Sequence, residues 1–301
     1  MSWQTGEALE SAEVSASVVG RAATSRMVSR FVRDKVAMAA LLFLVFLIVI
    51  AIFAPWVAPH SPTQNFPKIN AGPSGSHWLG TDDIGRDLLS RLLYGTRISL
   101  EAAFLIVLLA VIVSLPLGLI AGYLGGVVDN VVMRIMDAGF AFPPLLFAIT
   151  LAALRGSSLH NEILAIAVTF VPGTVRVIRG QVLSVREETY IEASRSAGAG
   201  NGRMLVRHVL PNVASPLIVQ AALGFGYAIL AEAGLSFLGL GVQPPSASWG
   251  VMLQEAFGFV LSDPWATIVP GAAIALTVLS FNLVGDGLRD ALGRERVAGK
   301  A

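Results

Sequence analysis

Apolar residues in this chain come in long unbroken runs between charged side chains, not in alternation. The densest, Val36 to Phe53, reads VAMAALLFLVFLIVIAIF. A helix needs about 20 mostly apolar residues to cross a bilayer. By that measure the runs predict six spanning helices, over 36–57, 100–123, 131–154, 163–183, 212–238 and 264–286. The third is short between Asp137 and Arg155 and extends back through Val131–Met136. The fourth reaches Leu183 if Arg176 and Arg179 snorkel. The uncharged stretch after Glu232 contains Gly239, Gly241, Pro244 and Pro245, which predicts the end of span five and then a structured loop. A barrel would alternate, and lipid tolerates no open sheet edge. The first run follows a polar tail and exceeds the roughly 7–15 residue core of a signal peptide, so it reads as an uncleaved anchor. The fold class is all-α, a polytopic membrane protein with six transmembrane helices.

Composition sharpens this. Hydrophobic residues make up 54% of the 301 and charged residues 14%, against about 25% in a soluble domain. The mean hydropathy is +0.71. A net charge of +1 argues against nucleic-acid binding. With no cysteine there is no disulfide, thiolate metal site or Cys nucleophile. His60, His77, His160 and His208 are far apart in sequence, so no local two-His motif predicts a metal site. Ser236 and Asp286 lack the glycines of intramembrane protease motifs, and no H-E-x-x-H exists, so no catalytic residue is assigned. The lysines are Lys35, Lys68 and Lys300, none in a P-loop context. The chain is therefore read as binding no ATP in the P-loop manner and as no enzyme by itself.

Lysine and arginine set the orientation. The N-terminal tail carries Arg21, Arg26, Arg30, Arg33 and Lys35. The segment between spans four and five carries Arg176, Arg179, Arg186, Arg195, Arg203 and Arg207, and the C-terminus Arg289, Arg294, Arg296 and Lys300. Arg134, in the turn after span two, falls on the same side, and only Lys68, Arg86, Arg91, Arg97 and Arg155 fall on the other. Both tails, 1–35 and 291–301, are thus expected in the cytoplasm, with Met1–Ala23 disordered. Trp56, Trp78, Trp249 and Trp265 fall near outer span ends, as an interfacial belt would.

Ionisable groups within spans are costly and face the protein interior. Asp137 with Arg134, and Asp286 with Arg289, read as local ion pairs. Glu232 has no local basic partner; it either faces a translocation path or makes an inter-subunit or backbone hydrogen bond. Gly118, Gly122 and Gly126 have the spacing that lets helices pack closely. Pro143-Pro144 must bend span three. Asp82, Asp83, Arg86, Asp87 and Arg91 form a charged face, read as an interfacial helix or a contact surface.

The most informative stretch is Gln181–Asn212, QVLSVREETYIEASRSAGAGNGRMLVRHVLPN. Arg186–Ala197 has good helix formers. Gly198, Gly200 and Gly202 interrupt it, a second short helix is expected over Arg203–Val209, and Pro211 sets an abrupt angle into span five. The product is a projecting helix–turn–helix.

This stretch resembles the EAA loop of bacterial ABC importer permeases: Glu-Ala-Ala, three residues, Gly, nine residues, Ile-x-Leu-Pro. Glu192, Ala193 and Ser194 open the motif, Gly198 follows at the family's spacing, and His208, Leu210 and Pro211 close it. Ser194 replaces an alanine and His208 the isoleucine; RHVLPN is similar to the variant in dipeptide, oligopeptide and nickel permeases. Leu79–Leu100 and Glu232–Leu253 resemble the C-type permease of that family, and the likeness runs from about Ser29 to Leu292. It implies a type I permease domain over 36–290 with an EAA-type loop at 184–211. It implies a homologous second permease, two cytoplasmic ATPases that bind ATP and magnesium, and an extracytoplasmic solute-binding protein, in the bacterial cytoplasmic membrane. No cofactor is then held by this chain. In the family, the helix around Glu192–Gly198 lies in a cleft of one ATPase. The implied cargo is a di- or oligopeptide, with nickel or a solute such as glutathione as alternatives. A self-sufficient secondary transporter is the alternative of another class; it would show a coupling-ion site at discontinuous spans.

Overall fold

A computed structural model describes residues 28–196, 198 and 200–298, without the side chains of 193, 195 and 293–298. The reading of Met1–Ala23 lies outside the described residues. Ten α-helices follow the short helical stretch 28–33: α1 Lys35–Val57, α2 Leu88–Leu124, α3 Gly126–Phe140, α4 Pro144–Arg155, α5 Leu159–Arg186, α6 Thr189–Ser196, α7 Asn201–Met204, α8 Leu210–Phe237, α9 Trp249–Phe257 and α10 Pro264–Ala298. Polar side chains start several of them. Asp34 accepts from the Val36 and Ala37 N–H groups, Asp87 from Ser90, Ser158 from Asn161 and Ser248 from Val251. Each satisfies a donor that the first turn leaves unpaired.

Five helices are long and apolar enough to cross a membrane, and six crossings result if α3 and α4 form one broken span. Those two meet at 85°, because Pro143 and Pro144 contribute no N–H to continue the helix. The expected continuous span 131–154 is thus two helices. Span two begins well before residue 100, at Leu88, and so takes Arg91 and Arg97 into a helix. Part of the stretch read as loop after Glu232 is helical as α9, capped by Ser248. The C-terminal helix runs past residue 286 to Ala298, through much of what was read as a tail.

α2 packs most extensively on α5. A Cβ on Gly118 would lie 2.6 Å from Ile178, and one on Gly122 2.7 Å from Val182, so their hydrogens are what bring the two helices together. Gly126 does not join this contact. It starts α3 at φ +55°, with nothing near its missing side chain. Ile106, Ile166, Ile229, Leu235 and Trp249 form the core between α2, α5, α8 and α9. Trp249 is therefore interior rather than interfacial, whereas Trp56 and Trp78 stay exposed. Val45, Phe46, Val49, Ile52 and Phe53 of α1 point outward, as an apolar exterior would toward lipid tails.

The charged residues 82–91 form neither a surface helix nor an exposed patch. Arg86 bonds Asp82 at 2.6 Å and Glu255 of α9 at 2.9 Å, and the fully buried Arg91 bonds Glu255 at 2.5 Å. Burial alone would lower the Arg86 guanidinium, but Glu255 and Asp82 outweigh it and hold its pKa above the ordinary value. Asp137 pairs with Arg176 at 2.5 Å, not with Arg134, and Arg179 grips Asp129 through two nitrogens. The bend after α3 lays that helix along α5 and makes these cross-helix pairs. No Asp286–Arg289 pair forms among the described residues; both side chains are exposed.

Candidate functional site

The helix–turn–helix is present with shifted bounds. α5 runs on through Arg186, and α6 starts only at Thr189. After α6, Gly198 takes φ +84°, in the left-handed region that L side chains rarely adopt. α7 then passes through a π-helical turn, Leu205–Val209, into α8. The abrupt angle expected at Pro211 is absent: residues 201–237 form one continuous helical run. The Leu210 N–H reaches back to the Leu205 carbonyl, a wide turn beside Pro211, which has no N–H to donate.

An apolar underside anchors this element. Ile191, Met204, Val209 and Val213 are buried with Tyr123 of α2 and Ile178, Val182 and Val185 of α5. Polar contacts fix its pitch. The Tyr123 hydroxyl donates to Asn201 at 3.2 Å, and Arg186 donates to the Tyr123 carbonyl at 3.2 Å. The Asn212 amide donates to the Tyr190 hydroxyl at 3.1 Å and the His208 carbonyl at 2.8 Å. Burial, and then the nearby Glu188, push the Tyr190 phenol up.

Glu192 and Gly198 are exposed, Ser194 and His208 half-buried, and Leu210 and Pro211 open α8; Ala193 lies on α6. The outward face also shows Tyr190, Arg203 and Val206. The element is thus bonded beneath and open above. Its anchors Ile191 and Met204 went unremarked in the sequence reading. Ile191 is an isolated aliphatic residue in a polar turn, whereas Met204 is masked by the apolar Leu205 and Val206 that follow it.

Beside it opens a cavity of about 680 Å³ between α5, α8 and α10, whose polar lining is Gln181, Asn212, Ser215, Gln220 and Arg289. Glu232 does not line it. That side chain is fully buried near the far end of α8, where the Ser236 hydroxyl lies 3.1 Å from Glu232 and 3.2 Å from both carboxyl oxygens of Glu162. Glu162 had no sequence signal, because its partner Ser236 is 74 residues away.

Spanning helices around a cavity, with an anchored helical element standing at one end, define a membrane translocator subunit. The chain belongs to the family described as binding-protein-dependent transport system inner membrane component, which it matches over residues 114–297. Residues 24–73 match the N-terminal transmembrane domain of oligopeptide transport permease C. It is thus a pore-forming permease of an ABC importer, a multi-pass protein of the inner membrane.

Among curated relatives, the dipeptide transport system permease protein DppC of Alkalihalophilus pseudofirmus is 48% identical over 261 residues, 86% of each chain. The glutathione transport system permease protein GsiD of Pectobacterium atrosepticum is 47% identical over 265 residues, 87% of this chain and 88% of that one. Among solved structures, the inward-facing MetNI methionine ABC transporter matches with a TM-score of 0.57 at 17% identity, over 68% of this chain and 97% of that one. That likeness speaks to the fold.

Proposed function

We propose that this permease carries small peptides into the cell, driven by ATPases that dock on the α6–α7 element. The observation that carries the reading is the anchored, open-faced element itself, with Gly198 at its turn and Glu192 on its exposed helix. Relatives named for dipeptide and for glutathione transport are almost equally similar to it, and both cargoes are short chains with amide groups and terminal charges. The adjoining cavity offers matching chemistry: the amides of Gln181, Asn212 and Gln220, and the cation of Arg289. Glu192, Ala193, Ser194, Gly198, His208, Leu210 and Pro211 form the coupling surface. The working assembly has a second permease, two ATPases holding ATP and magnesium, and an external binding protein. Both termini face the cytoplasm.

The test is made on the whole complex in membranes, with Gly198→Asp and Glu192→Lys. Any side chain at φ +84° is strained by roughly 1 kcal/mol or more, which displaces α6 without unfolding the spans. Membrane levels stay near normal, uptake of labelled dipeptide falls strongly, and the ATPases dissociate or hydrolyse ATP without uptake. Wild-type assembly and uptake in both variants would remove this element from coupling. Uptake of neither dipeptide nor glutathione by the intact wild-type complex would remove the cargo assignment.

A further inference from the structure

Three side chains outside the helix–turn–helix and its adjoining cavity converge at the other end of the bundle. His60 follows α1, His77 lies in the loop leading to α2, and Asp87 caps α2. One donor atom from each lies within 4.8 Å of the other two.

Hydrogen bonds define which ring nitrogens are bare. His60 Nε2 lies 3.2 Å from the Ser76 carbonyl oxygen, which can only accept. In the neutral ring the proton therefore sits on Nε2 and Nδ1 keeps its lone pair. His77 Nδ1 lies 2.9 Å from Asp87 Oδ1, so an ion taking the place of the proton between them would meet a ring nitrogen and a carboxylate oxygen together. His60 shows the pattern of metal-ligating histidines, one ring N–H given to a carbonyl and the other nitrogen left for the ion.

The frame behind the rings is firm. Asp87 Oδ2 accepts from the Ser90 N–H at 2.8 Å and its hydroxyl at 2.7 Å, and Ser90 Oγ accepts from the His60 N–H at 3.0 Å. Phe66 stands edge-on to both imidazoles, with ring centres 4.9 and 4.6 Å away. His77 and Asp87 are buried and His60 is half-buried, so an ion has an entry path on one side.

We propose that this cluster binds a divalent transition-metal ion of the zinc class, ligated by His60 and His77 with Asp87 as the third side chain. Imidazole donors suit zinc, cobalt or nickel, whereas calcium and magnesium want an oxygen cage. Metal–nitrogen bonds of about 2.0–2.1 Å place tetrahedral donors roughly 3.3 Å apart. A turn of the half-buried His60 ring closes the present spread. The fourth position is left to water. The bound ion clips the loop after α1 to the start of α2, and it stands apart from the peptide reading.

Tag-free full-length protein in detergent, stripped with chelator, is titrated with Zn²⁺ by calorimetry and with Co²⁺ by visible absorption. One equivalent of Zn²⁺ binds, Co²⁺ develops the intense bands of a tetrahedral site, and the melting temperature rises. His60→Gln and Asp87→Asn, which keeps the helix cap, each weaken Zn²⁺ by roughly tenfold or more, and the cobalt bands fade. His160→Gln and His208→Gln bind as wild type, and Ca²⁺ and Mg²⁺ do not compete. If His77→Gln fails to fold, His60→Gln decides, since its half-buried side chain gives up one hydrogen bond, to a carbonyl. No zinc binding by the wild type, or wild-type affinity in His60→Gln, overturns the site. Peptide uptake is assayed separately, so a failure here leaves the cargo assignment standing.

Discussion

Glu255 shows how much one side chain can hold. Its carboxylate meets Arg91 at 2.5 Å and Arg86 at 2.9 Å, and both guanidinium groups are buried. Glu255→Ala leaves two interior cations sharing Asp82, with only Asp83 at 3.8 Å from Arg86 besides. Breaking a buried pair costs about 3–5 kcal/mol, and the 18% exposure of this carboxylate places the loss at or below the lower end, about 2–3 kcal/mol. Glu255→Gln keeps an acceptor and loses less. Thermal melts of both variants in detergent check the order; equal stability of Glu255→Ala and wild type contradicts it. Sequence reading saw the partners 82–91 only as a charged face, because Glu255 lies 164 residues beyond Arg91. Gly198 was legible, since a positive φ leaves its mark as glycine in the sequence itself.

Between elements, the broken span α3–α4 is tied to α5 by two ion pairs of different value. Asp129 and Arg179 meet through two nitrogens with 14% and 29% of their side chains exposed, whereas Asp137 and Arg176 are 51% and 44% exposed. The tighter pair is the less exposed one, and solvent screens the other. Surface pairs contribute about 0–1 kcal/mol. Asp137→Ala is therefore close to neutral, while Asp129→Ala lowers the melting temperature measurably. A larger loss from Asp137→Ala would reverse the ranking. The bend was legible in Pro143-Pro144. The cross-helix pairing was not, because the nearer arginine, Arg134, satisfied the local rule just as well.

For the whole molecule, arginine placement predicts that both termini lie in the cytoplasm and residues 59–97 and 241–263 outside, although the structure takes 88–97 into α2. The chain has no cysteine, so Ser11→Cys and Ser74→Cys each give a single thiol. A membrane-impermeant maleimide applied to intact spheroplasts labels Ser74→Cys and spares Ser11→Cys; the reverse pattern inverts the topology. The isolated chain, freed of ATPase subunits as judged by mass spectrometry, hydrolyses no ATP, because no lysine sits in a phosphate-cradling loop. Turnover in that preparation contradicts the division of labour between permease and ATPase.

The amino-acid sequence alone determined the helical class, the approximate crossings, and a projecting element that needs glycine at its turn. These rest on local physics: apolar run length against bilayer thickness, and backbone freedom at one residue. The tertiary structure alone decided what faces what. It put Trp249 into the core, joined Ser236 to Glu162 and Glu232, and replaced the angle at Pro211 with a π turn. It also gathered His60, His77 and Asp87 from both sides of a long loop. Such contacts depend on where helices end and how they bend, and side chains far apart along the chain carry no local pattern that records their meeting.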